Sequence, residues 1–166
     1  MPVMRAGRSA VIRIAGLSGA SPTLVTPGSA VPLQGVSGYD PQGTGGEHDE
    51  LAGLATDGNS STSWTTETYD SQDFGGLKSG VGLLLDAGRS VKLAQMTVTT
   101  ATPGFSAEIQ SSDSSTGDFT SDSSSQTVSR TTTFTLNGST ARYYVVWITQ
   151  LPTGGVAEIS EVKAKS

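Results

Sequence analysis

Apolar residues occur along this chain in short, separated runs bounded by Gly, Pro, Ser, Asp or Asn, and no window holds a sustained apolar stripe of helical period. That pattern predicts strands joined by turns. Residues 10–14 predict a short first strand, followed over 16–30 by a connector rich in Gly, Ser and Pro. Residues 31–39 (VPLQGVSGY) alternate apolar and small side chains as a sandwich strand does, and 40–46 (DPQGTGG) read as a loop. Residues 49–55 predict the one helical turn, with Asp49 and Glu50 where a helix N-terminus favours negative charge. Over 62–68, Thr62, Trp64, Thr66 and Thr68 alternate with Ser63, Thr65 and Glu67, which predicts a strand anchored by the tryptophan.

The second half repeats this grammar. Residues 81–86 (VGLLLD) form a continuous apolar run, as expected of a strand buried on both faces. Residues 87–90 predict a turn into a strand over 91–100, and 105–110 (FSAEIQ) predict another strand. The Ser/Asp/Thr-rich tract 111–125 cannot repay its ordering entropy by burial and reads as a mobile surface loop. Alternation resumes over 126–136, Asn137-Gly138 is a hairpin-type turn, and 142–150 (RYYVVWITQ) is the most β-prone run. Residues 151–155 loop into a closing strand over 156–163. About eight to ten short strands without strand–helix alternation predict an all-β, antiparallel two-sheet sandwich. Within it Trp64 and Trp147 are expected in the core, while Tyr143 and Tyr144 must face opposite sides.

Composition narrows the function. With 166 residues the chain suits one sandwich domain, placed at 31–166 and preceded by a strand or linker segment over 1–30. Its 21 Gly and 7 Pro fit a turn-rich fold, and the absence of Cys excludes disulfides, thiolate metal sites and a cysteine nucleophile. A net charge of −5 opposes nucleic acid and anionic lipid as partners. The only locally basic stretch carries Arg5, Arg8 and Arg13, and Arg13 interrupts the apolar run Ala10-Val11-Ile12, so neither a signal peptide nor a membrane span is read there. An export apparatus would belong to a longer parent chain. No Gly-x-Ser-x-Gly, His-Glu-x-x-His or phosphate-binding loop occurs, and the sole histidine, His48, reads as a solvated surface residue. These features disfavour an enzyme.

The order of Ala55 to Trp64 (A-x-D-G-x-x-x-T-x-W), Val81 to Asp86, Arg142-Tyr143-Tyr144-Val145 and Ile159-Ser160-Glu161-Val162 resembles a discoidin or coagulation factor 5/8 type C domain. That resemblance implies a galactose-binding-like jelly roll. The combination of residues 47–52, Asp57-Gly58, residues 64–69, residues 74–83 and Val146-Trp147-Ile148-Thr149 is similar to the extracytoplasmic C-terminal domain of actinobacterial MviN/MurJ-type proteins, which join a lipid II flippase-like membrane region to a pseudokinase. It implies an extracytoplasmic domain of a membrane-anchored parent protein linked to peptidoglycan synthesis.

The same resemblance implies a structural calcium ion where the opening loop meets the last strand, held by Asp57, Asn59, Thr62 and Glu161. Glu158 competes for the last place, and the alternative is that these groups only satisfy backbone donors. For a ligand, a sugar wants an aromatic platform rimmed by polar groups. Tyr39, Tyr69, Phe74 and Lys78 are the candidates, flanking the opening motif; the alternative is that the aromatics plug the end of the sandwich. The expected role is noncatalytic binding of a cell-wall glycan. A protein-interaction or structural role without carbohydrate binding is the second expectation.

Overall fold

The computed structural model describes residues 28–166, so the strand expected at 10–14 lies outside the described residues. Twelve strands follow: β1 (Ala30–Val31), β2 (Gln34–Tyr39), β3 (Trp64–Thr65), β4 (Val81–Lys92), β5 (Gln95–Thr99), β6 (Ser106–Ser112), β7 (Thr120–Ser121), β8 (Gln126–Thr127), β9 (Thr131–Thr135), β10 (Thr140–Gln150), β11 (Glu158–Ile159) and β12 (Glu161–Lys165). A four-stranded sheet in the order β1-β12-β5-β9 faces a six-stranded sheet in which β2-β4-β10-β6-β7 run in order and β8 also pairs with β6. Strands β11 and β3 form a separate pair. Every pairing is antiparallel, and the expected jelly-roll β-sandwich is the observed fold.

Strand parity builds the core. Leu83 and Leu85 of β4, Tyr144, Val146 and Ile148 of β10, Ala107 and Ile109 of β6 meet Met96 and Val98 of β5 and Phe134 of β9 in one buried cluster. Tyr144 satisfies its hydroxyl by donating to the Val91 carbonyl at 2.9 Å, and Tyr143 lies on the opposite face, half-buried. Trp64 is fully buried, its indole N–H donating to the Glu47 carbonyl at 2.7 Å. A 3-10 helix occupies Asp49–Ala55 as expected and packs close on β2. Gly35 permits this, since a Cβ there would sit 2.0 Å from the Ala52 carbonyl oxygen.

Several expected elements are redrawn. The strand expected at 31–39 breaks at Pro32-Leu33, where a residue without an N–H cannot sustain a ladder and the chain crosses from the four-stranded to the six-stranded sheet. The turn expected at 87–90 lies inside the twelve-residue β4, where Gly88 at φ 82° donates to Asp86 at 2.6 Å and the ladder with β10 shifts register between Ala141 and Tyr143. Asn137-Gly138 does not close a hairpin. It carries the chain from β9 to β10 in the other sheet, and the Asn137 N–H donates to the Asp122 carbonyl at 2.7 Å.

The Ser-rich tract expected to be mobile instead supplies β7, a fully buried Asp122 and a buried Ser123 whose hydroxyl accepts from the Ile109 N–H at 2.9 Å. Hydrogen bonding to β6 repays an ordering cost that apolar burial could not.

Candidate functional site

Two aromatic groups and one oxygen-rich loop carry the candidate chemistry. At the closed end of the sandwich, Phe74 is fully buried and meets Tyr69 edge-on, with ring centroids 5.1 Å apart. The Tyr69 hydroxyl donates to Glu47 Oε2 at 2.7 Å and accepts from the Lys78 ammonium at 2.9 Å, while Lys78 also bonds Asp40 Oδ2 at 2.9 Å. Burial pushes the Tyr69 phenol up to about 12; the lysine bond opposes that shift and the Glu47 bond adds to it. Burial disfavours the Lys78 charge, but its bonds to Tyr69 and Asp40 outweigh that and raise its pKa. Glu47, Asp40 and Lys78 retain only 1 %, 5 % and 14 % of their side-chain exposure. Of the expected ligand residues, then, Phe74 is beyond reach of a ligand and Tyr69 and Lys78 spend their polar atoms tying residues 40–47 to 69–78.

The opening loop gathers oxygens. Asp57 accepts from the Asn59 N–H at 2.9 Å and from the Thr62 hydroxyl at 2.6 Å, and Asn59 Oδ1 accepts from the Ser61 N–H at 2.9 Å. Glu161, not Glu158, faces this loop: both its oxygens accept from the Gly58 N–H, at 3.2 and 3.3 Å, whereas Glu158 accepts from Ser63. Burial raises the Glu161 pKa, the Gly58 bond opposes the rise, and the neighbouring Asp57 charge adds to it. The Thr62 bond, then the Asn59 bond, lower the Asp57 pKa.

Two carboxylates that repel each other, beside the Asn59 carbonyl oxygen and the Thr62 hydroxyl, are a donor set of the hard-oxygen kind that suits calcium. Among the described residues no group of three or more His, Cys, Asp or Glu could hold a metal, so such an ion would depend on backbone and hydroxyl oxygens. A cleft of about 460 Å³ lined by Val31, Leu33, Asp57, Gly58 and Glu161 opens this loop to solvent.

The third group lies on the outer face of the six-stranded sheet. Trp147 is only half-buried and points away from the core, correcting its expected place. The reason is parity: Tyr144, Val146 and Ile148 face inward, so Trp147 shares the side of Tyr143. Its ring contacts Tyr39 at 5.8 Å between centroids, and Tyr39 contacts Phe119 at 5.0 Å, both edge-on.

Tyr39 and Trp147 are both registered on Gly82 of the strand between them, which lifts no side chain between the rings. Phe119 adjoins β7 at one edge of the sheet and Tyr39 belongs to β2 at the other, a span of about 19 Å along a flat sheet. Their contact brings the two edges together over the middle strands, where Leu84 and Val145, although outward-pointing, are 5 % and 0 % exposed.

Glu108 is the cross-strand neighbour of Trp147, and it accepts from Gln110 at 3.0 Å and from Ser121. Burial, then the charge of Asp118, raise the Tyr39 pKa, which places that carboxylate near the phenol. The signal for Trp147 was present in the sequence as the parity of residues 143–148. Phe119, inside the Ser-rich tract, carried none.

One constellation resembles catalytic machinery by distance. Glu67 Oε2 lies 3.1 Å from His48 Nε2, and His48 Nδ1 lies 3.3 Å from the Thr65 hydroxyl. Yet Nδ1 is nearer the Thr65 carbonyl oxygen, at 3.1 Å, and a carbonyl only accepts. The carbonyl contact asks Nδ1 to donate and the hydroxyl contact lets it accept, and the carbonyl is the nearer of the two. His48, expected to be solvated, instead joins the segment before the 3-10 helix to β3.

No family model matches this sequence. Solved structures share its fold at low identity. A carbohydrate-binding module of Clostridium perfringens in complex with GalNAc-β-1,3-galactose is 20% identical, with TM-score 0.59, over 83% of this chain and 100% of that one. The family 32 module of the NanJ protein of the same organism, in complex with galactose, is 21% identical, with TM-score 0.56, over 82% and 98%. A chitosan-binding module from a Paenibacillus chitosanase/glucanase is 17% identical, with TM-score 0.62, over 84% and 99%. The chain thus shares the β-sandwich fold of these modules.

Proposed function

We propose that this chain is a noncatalytic glycan-binding domain whose ligand stacks on the outer face formed by Tyr39, Trp147 and Phe119. The observation that carries this reading is a half-exposed trio of contacting rings, with Glu108, Gln110 and Asp118 at its rim, on the side of the sheet away from the core. Sugar rings stack on aromatic faces while planar polar groups bind their hydroxyls. Glycan modules among proteins of the same fold support the reading. Of the residues expected to touch the ligand, Tyr39 keeps that role; Tyr69, Phe74 and Lys78 hold the loops behind it.

The natural ligand in this reading is a cell-wall glycan met outside the cytoplasm, the domain belonging to a membrane-anchored parent linked to peptidoglycan synthesis. Its support is the sequence resemblance over residues 47–83 and 146–149. No helix among the described residues is long and apolar enough to cross a membrane. A calcium ion at Asp57, Asn59, Thr62 and Glu161 would brace the loop rather than touch the ligand. Titration with soluble cell-wall fragments, read by the indole resonance of Trp147, tests the proposal: a saturable shift of Trp147 with Trp64 unmoved is expected. A folded protein whose Trp147 ignores every fragment would overturn it.

A second reading, a protein-interaction domain, is favoured by Leu77, which stands 77 % exposed beside the closed end. In that case Leu77→Ser would abolish partner capture and leave glycan titrations unchanged.

A further inference from the structure

Charges around the outer-face aromatics are unbalanced in one direction. Lys78 is held by Asp40 and Glu47, and Arg142 by Asp86 with contacts of 2.9 and 3.0 Å, so the cations bordering this side already have carboxylate partners. Glu108 and Asp118 have no such partner: none of the ion pairs among the described residues includes either one. Glu108 stands beside Trp147 on the neighbouring strand, and Asp118 immediately precedes Phe119 in the chain and lies close enough to Tyr39 to act on its phenol. Among the described residues Glu108 receives its two hydrogen bonds on Oε2, leaving Oε1 without one. The Trp147 indole N–H likewise has no hydrogen-bond partner among the described residues. An aromatic face with uncompensated carboxylates on two sides attracts a cation twice over, through the ring quadrupole and through charge.

Building on the glycan reading above, we infer that the preferred ligand at the Tyr39–Trp147–Phe119 face is an amino sugar with a free, protonated amine, its ammonium between the rings and the Glu108 and Asp118 carboxylates. An N-acetylated sugar of the same ring shape offers a neutral amide there. It can stack, but it meets two carboxylates with no charge to answer them. A neutral hexose stands in the same position.

The test compares glucosamine oligomers with N-acetylglucosamine oligomers of equal length by isothermal titration, at a pH below the amine's titration. The wild-type domain is expected to bind the glucosamine oligomer about tenfold more tightly or better, and to lose much of that margin as added salt screens the charges. Glu108→Gln with Asp118→Asn should erase the margin, bringing the two oligomers to equal affinity. Trp147→Ala should weaken both. Equal, salt-insensitive binding of the two oligomers overturns the amine preference and leaves the glycan reading intact. A preference that survives the double substitution overturns the assignment of these carboxylates. Binding of neither oligomer nor any neutral cell-wall fragment by a folded protein overturns both readings together.

Discussion

Two tryptophans, each in an alternating β-prone run, end in opposite circumstances. Trp64 is fully buried with its indole N–H on the Glu47 carbonyl, and it belongs to a closed end in which the Tyr69 hydroxyl, the Lys78 ammonium, Asp40 Oδ2 and Glu47 bond one another beside the buried Phe74. Trp147 lies half-buried on a sheet face with Tyr39 and Phe119, beside carboxylates that no cation among the described residues holds. Aromatic content near loops does not by itself mark a binding surface. What separates the two clusters is whether the polar tips are already used: at the closed end they lock loops, and on the outer face they remain available to a ligand.

The sharpest way to break this contrast is truncation in each cluster. Phe74→Ala should cost about 3–5 kcal/mol, seen as a large drop in the urea midpoint, because it opens a cavity among fully buried neighbours. Lys78→Ala should cost a comparable 3–5 kcal/mol, since it strands the buried carboxylates of Asp40 and Glu47. Trp147→Ala should cost only about 1 kcal/mol yet weaken glycan binding at least tenfold, about 1.4 kcal/mol, by titration calorimetry. If Phe74→Ala instead spared stability and abolished binding, the roles of the two clusters would be reversed.

Calcium provides a finer test on the same molecule. At a concentration a hundredfold above its dissociation constant, calcium should add about 2.7 kcal/mol and raise the melting temperature by about 5–10 °C, and EDTA should reverse the gain. Glu161→Gln should remove it. Without calcium, Glu161 holds its proton more tightly folded than unfolded, so its contribution to stability is full at low pH and declines as pH rises above 4.5 through its raised folded value. Calcium needs the deprotonated group, so the calcium-induced rise in melting temperature should shrink as pH is lowered through that interval. Asp57 has the opposite sign: its lowered pKa gives a contribution present above 3.8 and lost as pH falls through its folded value. A melting temperature indifferent to calcium and EDTA at every pH would leave the loop braced by its Asx-type hydrogen bonds alone.

Much of the sandwich was legible beforehand for a local reason. Alternation with period two and Gly/Pro/Asn punctuation report backbone geometry residue by residue, so the strands over 81–86 and 142–150, the 3-10 segment at 49–55 and the opposite faces of Tyr143 and Tyr144 follow from the sequence. Sheet membership does not. Pro32, the 87–90 segment and Asn137-Gly138 all look like local punctuation, yet one marks a crossing between sheets, one a bulge inside a long strand and one a second crossing.

The chain by itself therefore determined an antiparallel β-sandwich without cysteine chemistry, with a carboxylate–hydroxyl loop at residues 57–62, because these depend on residue type and spacing along the backbone. Only the tertiary structure decided that Glu161 rather than Glu158 meets that loop, that Tyr69 and Phe74 close the sandwich, and that Phe119 from a Ser-rich tract reaches Tyr39 and Trp147. Those pairings join residues 5 to 108 positions apart, and they are fixed by which sheet edges and loops come together in space rather than by anything a sequence window contains.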